Sequence, residues 1–124
     1  MNHFLGLIPT PPPLRARSLV YDLKTRLDWG KPALTILDVR DRTLFNTSHI
    51  LGALSMPMAE LGQRAAASLP LSRDLYVYGE TDEETAVAAH LLRTLGYKNV
   101  SELRGGMAAW KAVGFPIEAA VVVY

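Results

Sequence analysis

The chain of 124 residues has no cysteine. That absence removes disulfides, thiolate metal ligation and every mechanism that needs a thiol nucleophile or a persulfide. The chain also lacks a surplus of either charge: 13 basic and 12 acidic side chains leave a net +1. No global field therefore draws it to nucleic acid or an anionic bilayer, and either would require a local patch. No stretch approaches the roughly 20 apolar residues of a membrane span, and Met1 to Pro13 lacks the charged start and long apolar run of a secretory leader. The expectation is a cytoplasmic protein with neither nucleic acid nor membrane as partner. What is present is ordinary for a folded domain, with 49% hydrophobic and 20% charged residues. A chain of this length can bury roughly two-thirds of its unfolded surface in one core.

Pro9, Pro11, Pro12 and Pro13 make residues 1–13 an extended lead, usable as a plain tail or as a PxxP ligand. Residues 14–118 read as one domain and 119–124 as a C-terminal tail ending in Val121-Val122-Val123-Tyr124. Leu19, Leu23 and Leu27 recur at helical spacing, with Ser18 as the expected N-cap and Gly30 just past the end. The basic residues Arg15, Arg17, Lys24, Arg26 and Lys31 are interrupted by Asp22 and Asp28 and carry no interleaved aromatics. They read as a solvated helix face rather than a polyanion site.

Beyond this helix, short β-branched or aromatic runs alternate with helical patterns. Strands are expected at Thr35–Val39, Gly52–Pro57, Leu75–Tyr78 and Val100–Leu103, and helices at Arg42–Ser48, Met58–Leu69, Asp82–Leu95 and Met107–Val113. Gly96 and Gly114 close two of those helices. Such alternation predicts a mostly parallel α/β sheet with helices on both faces. Tyr97 and Trp110 are expected in its core.

Five segments then carry a more specific likeness: Leu37-Asp38-Val39-Arg40, His49-Ile50-Leu51-Gly52-Ala53, Leu75-Tyr76-Val77-Tyr78, Leu95-Gly96-Tyr97 and Gly105-Gly106-Met107-Ala108-Ala109-Trp110. In order and spacing, over about residues 34 to 116, the chain resembles the rhodanese family. The resemblance implies a three-layer α/β domain with a mostly parallel sheet of about five strands. It also implies that the strand Leu75 to Tyr78 leads into a six-residue loop that, in active members, begins with a sulfur-accepting cysteine. Here that loop is Gly79-Glu80-Thr81-Asp82-Glu83-Glu84. Gly79 stands at the cysteine position, and Glu84 stands where active members usually carry a basic residue for an anionic substrate.

Neither glycine nor a hydroxyl of pKa far above neutrality can replace a polarisable thiolate in persulfide chemistry. Thr81 and Thr85 are the nearest hydroxyls, and no histidine lies in this segment to serve as their base. A strand-to-helix loop is a natural anion site, yet Glu80, Asp82, Glu83 and Glu84 would repel thiosulfate from it. Thr81-x-x-Glu84 also matches a capping box, which would start the helix about at Asp82 and wind part of the family's loop into it. Asp38 and Arg40 take an architectural role in this resemblance, and His49 is expected to hydrogen-bond locally. His3, His49 and His90 share no metal-ligand spacing, and residues 80–84 lack the alternation and internal glycine of a calcium loop. No cofactor or metal is expected. Two functions follow: a catalytically inactive interaction or regulatory module whose acidic loop selects a protein with a basic segment, or a cysteine-independent hydrolase or transferase of an oxyanion substrate.

Overall fold

Five consecutive residues, Leu34 to Asp38, are buried, which requires both faces and both edges of this strand to be covered. In the computed structural model, which describes residues 14–29 and 33–120, they form β2 of a five-stranded parallel sheet ordered β1-β6-β5-β2-β4. The strands are β1 (Arg17–Ser18), β2 (Leu34–Asp38), β4 (Leu54–Ser55), β5 (Asp74–Tyr78) and β6 (Val100–Leu103). Two more, β3 (His49–Ile50) and β7 (Ile117–Glu118), pair antiparallel in a separate ribbon. The helices are α1 (Val20–Asp28), α2 (Arg42–Thr47), α3 (Met58–Ser68), α4 (Asp82–Thr94) and α5 (Gly106–Ala112). The Pro-rich lead, Gly30, Lys31 and Val121–Tyr124 lie outside the described residues.

The β2–β5 register, with Leu37 opposite Val77 and Asp38 opposite Tyr78, sorts alternate side chains to opposite faces. Leu37, Leu75 and Val77 pack with Leu61, Ala88, Leu92 and Tyr97 on one face. Ile36, Tyr76 and Tyr78 pack with Leu23, Leu103, Met107 and Trp110 on the other. Tyr97 and Trp110 are thus both core residues, on opposite sides of the sheet. Their polar atoms are satisfied: the Tyr97 hydroxyl lies 2.7 Å from the Ala65 carbonyl, and Trp110 Nε1 donates to the Pro116 carbonyl at 2.7 Å.

Three expectations are corrected. Leu19, not Ser18, is the N-cap of α1; Ser18 belongs to β1, and its hydroxyl bonds Ser101 in the adjacent strand. Asp22 serves the helix end instead, accepting the Leu19 N–H at 2.8 Å. The basic residues do not form one solvated face: Arg17 lies on β1, and Arg26, its side chain only 12% exposed, pairs with Asp74 at 2.7 Å. The strand expected over Gly52–Pro57 contracts to Leu54–Ser55, because Gly52, at φ 86°, is still turning. The two-residue strands β1, β3 and β7 are too short to show an alternation pattern.

Candidate functional site

In a parallel sheet every strand delivers its C-terminal end to the same edge, so the segments after β2, β5 and β6 meet there. The middle one is the expected loop. Gly79 is buried and donates its N–H to Thr85 Oγ1 at 2.8 Å; that hydroxyl donates to the Thr81 carbonyl at 3.0 Å. Thr81 Oγ1 accepts the Glu84 N–H at 3.1 Å, and α4 starts at Asp82 as the capping pattern predicts. The return bond differs from a capping box: Glu84 Oε1 accepts from the Glu80 N–H, at 3.4 Å, rather than from Thr81.

This return places Glu84 directly against Gly79. A β-carbon at position 79 would lie 2.8 Å from Glu84 Oε1, 2.9 Å from its Cγ and 3.1 Å from its Cβ. Ordinary carbon contacts are about 3.5–4.0 Å. The glutamate side chain therefore stands in the space that any larger residue at 79 would occupy. Glycine is favoured here by close approach and not by backbone conformation, since the positive-φ glycines are Gly52, Gly96, Gly105, Gly106 and Gly114.

The acidic residues part company in three dimensions. Asp82 turns to the loop after β6, accepting the Gly105 N–H at 2.9 Å and approaching Arg104 Nη2 at 3.4 Å. It ties the loop to the turn that follows β6. Glu80 and Glu83 are exposed and Glu84 is half-buried; none of the three makes an ion pair among the described residues. Sequence reasoning missed the Asp82 tie, for which the only signal was the flexible Gly105-Gly106 pair.

Beside the loop lies a buried polar network. Arg40 Nε and Nη2 contact Asp38 at 3.0 and 2.7 Å, and Nη2 also donates to the Ser48 carbonyl at 2.7 Å. Burial alone would lower the Arg40 pKa, but the hydrogen bond and charge of Asp38, with a contribution from Tyr78, together raise it. Tyr78 OH accepts the Ile50 N–H at 3.1 Å, and burial, reinforced by the nearby Asp38 carboxylate, drives its pKa far above the usual phenol range. The network ties the ends of β2 and β5 to β3, an architectural role for Asp38 and Arg40. His49 stacks on Phe45, its Nδ1 lies 2.7 Å from the Phe45 carbonyl, and its Nε2 lies 3.5 Å from Glu118 Oε1 on β7.

Two cavities flank the loop and share Arg40 and Glu80. One, of about 270 Å³, lies between α2 and α5 and is lined by Leu44, Thr47, Ser48, Gly79, Met107, Ala108 and Lys111. The other, of about 280 Å³, lies toward α3 and is lined by Val39, Asp41, Pro57, Met58, Ala59 and Glu84. No group of three His, Asp or Glu side chains among the described residues is placed to hold a metal ion. No helix among them is long and apolar enough to cross a membrane.

The sequence model of the rhodanese-like domain matches residues 19–113. The chain belongs to the rhodanese-like family. The crystal structure of the Alr3790 protein from Anabaena sp. is 56% identical, with a TM-score of 0.81, covering 85% of this chain and 94% of that one. The thiosulfate sulfurtransferase GlpE of Coxiella burnetii (strain RSA 331) is 35% identical over 85 residues, 66% of this chain and 76% of that protein. The Bacillus subtilis protein YqhL is 32% identical over 75 residues, 60% of this chain and 59% of YqhL. Two further curated relatives are covered over 38% and 46% of their lengths, so this rhodanese-like domain spans about half of several proteins it resembles. It shares their fold and contains no cysteine.

Proposed function

We propose that this rhodanese-like domain is catalytically inactive in sulfur transfer and acts by binding another protein at the mouth of its loop. The observation that carries the proposal is the pairing of Gly79 with Glu84. The position where the resemblance places the nucleophile has no side chain, and its space is filled by a carboxylate that draws the Glu80 amide to itself. A thiosulfate anion would meet that carboxylate with Glu80 and Glu83 beside it.

Intact scaffold with altered chemistry supports a binding role, because loops held on a rigid α/β frame present recognition residues. Carboxylates on Glu80, Glu83 and Glu84 favour a partner with a basic segment. The proposed location is the cytoplasm. The alternative of a hydrolase or transferase using Thr81 gains no support: Thr81 Oγ1 accepts the Glu84 backbone N–H, and Thr85 Oγ1 directs its proton to a carbonyl. Both hydroxyls serve the turn.

Two measurements test the reading. Purified protein should show no thiosulfate:cyanide turnover, whereas Gly79→Cys combined with Glu84→Arg should become persulfidated; turnover by the unaltered chain would overturn the inactive assignment. A partner recovered on the immobilised chain should be lost when Glu80, Glu83 and Glu84 are changed to glutamine. Undiminished recovery would remove the acidic residues from recognition.

A further inference from the structure

The two cavities beside the loop differ in charge, although they share a wall. The cavity toward α3 has Asp41, Glu80 and Glu84 around the apolar surface of Pro57 and Met58. None of these three carboxylates has an ion-pair partner among the described residues. The nearby cations are already engaged: Arg42 with Glu60 at 2.7 Å, and Arg64 with Glu60 at 3.7 Å.

The cavity between α2 and α5 has the shared Glu80 as its one carboxylate and adds a cation. Lys111 lies on its edge, is exposed and makes no ion pair among the described residues. Its other cation is Arg40, a side chain only 8% exposed that lines both cavities. Asp38 and Ser48 occupy Nε and Nη2 of that guanidinium, leaving Nη1 without a hydrogen-bond partner among the described residues. A guanidinium nitrogen left open beside a cavity is suited to an oxyanion or a carbonyl.

We infer that the groove takes an extended segment of mixed charge from a partner protein. A lysine or arginine of that segment enters the cavity toward α3, and an aspartate, glutamate or terminal carboxylate enters the cavity toward α5. The inference rests on the partner-binding reading and sharpens it, since a uniformly basic segment would bring a cation against Lys111. Because Arg40 and Glu80 form the common wall, the two charges belong to one short stretch of the segment. Like-charge contact disfavours the wrong pattern while opposite charges set the register.

The test is an NMR titration of the isotope-labelled full chain with three acetylated and amidated peptides. One carries a lysine and a glutamate separated by alanine, one two lysines and one two glutamates. The mixed peptide should bind tightest and shift the amides of both cavities. Lys111→Glu should invert the preference toward the two-lysine peptide by about five-fold, the range of a single exposed charge pair. Glu84→Gln, which keeps the side-chain shape, should weaken the mixed and two-lysine peptides alike. If the two-lysine peptide binds the unaltered chain as tightly as the mixed one and Lys111→Glu changes nothing, the mixed-charge inference fails while the basic-partner reading stands. If no peptide shifts the loop amides, both fail.

Discussion

The contact between Gly79 and Glu84 makes a prediction whose sign depends on background. Gly79 is not among the positive-φ glycines, so alanine suits its backbone and, without obstruction, would stabilise by about 0.4–1 kcal/mol through the unfolded chain. Obstruction is present: the new carbon would lie 2.8–3.1 Å from three Glu84 side-chain atoms. Such overpacking costs about 1–3 kcal/mol. Rotation of Glu84 can relieve the contacts to Oε1 and Cγ, at the expense of the 3.4 Å bond to Glu80, but not the one to Cβ. Gly79→Ala should therefore destabilise the unaltered protein by about 1–2 kcal/mol. In a Glu84→Ala background only the 3.1 Å contact remains, and the same change should fall within about 0.5 kcal/mol of neutral. Urea unfolding of the four proteins closes the cycle, with an expected coupling of about 1 kcal/mol. Additive effects would refute the claim that Glu84 occupies the space of residue 79.

Three further outcomes follow from the same geometry. Thr85→Val should cost about 1–3 kcal/mol because it leaves the buried Gly79 N–H unpaired, whereas Thr85→Ser should retain most of the stability; equal losses on chemical denaturation would point to packing instead. Asp38→Ala leaves the Arg40 guanidinium buried without its counter-charge and should cost about 3–5 kcal/mol, a loss that thermal melting would reveal. Tyr78 is held protonated by burial, so above the unfolded phenol pKa of about 10 the native state binds more protons than the unfolded chain and stability falls as pH rises. Tyr76 and Tyr97 are shifted the same way, again chiefly by burial. Urea midpoints should decline from about pH 9 upward, less steeply in Tyr78→Phe; a flat profile would show that the phenols ionise freely in the folded protein.

The long elements could be read from local pattern because their signals are local. The five buried residues of β2 and the alanine- and leucine-rich α4 declare themselves within one window, and Thr81 caps its helix through an amide only three residues away. Ser18 was misread because its hydroxyl is used by Ser101, at a separation of 83 residues, which no helix pattern can register. Arg26 was misread for the same reason, through its bond to Asp74. Within the loop, composition shows four carboxylates but not their directions. Only the approach of the β6–α5 turn draws Asp82 to Gly105 and Arg104.

What the sequence determined by itself is the exclusion of thiol chemistry, since no fold can supply a sulfur nucleophile from a chain without cysteine. It also determined the α/β pattern, because periodicity is written residue by residue. Tertiary structure alone decided that Glu84 fills the space above Gly79, and that Lys111 lines one cavity beside the loop while Asp41 and Glu84 line the other. Those relations depend on where β2, β5 and α5 end relative to one another, and sheet order and packing, not neighbourhood along the chain, set those positions.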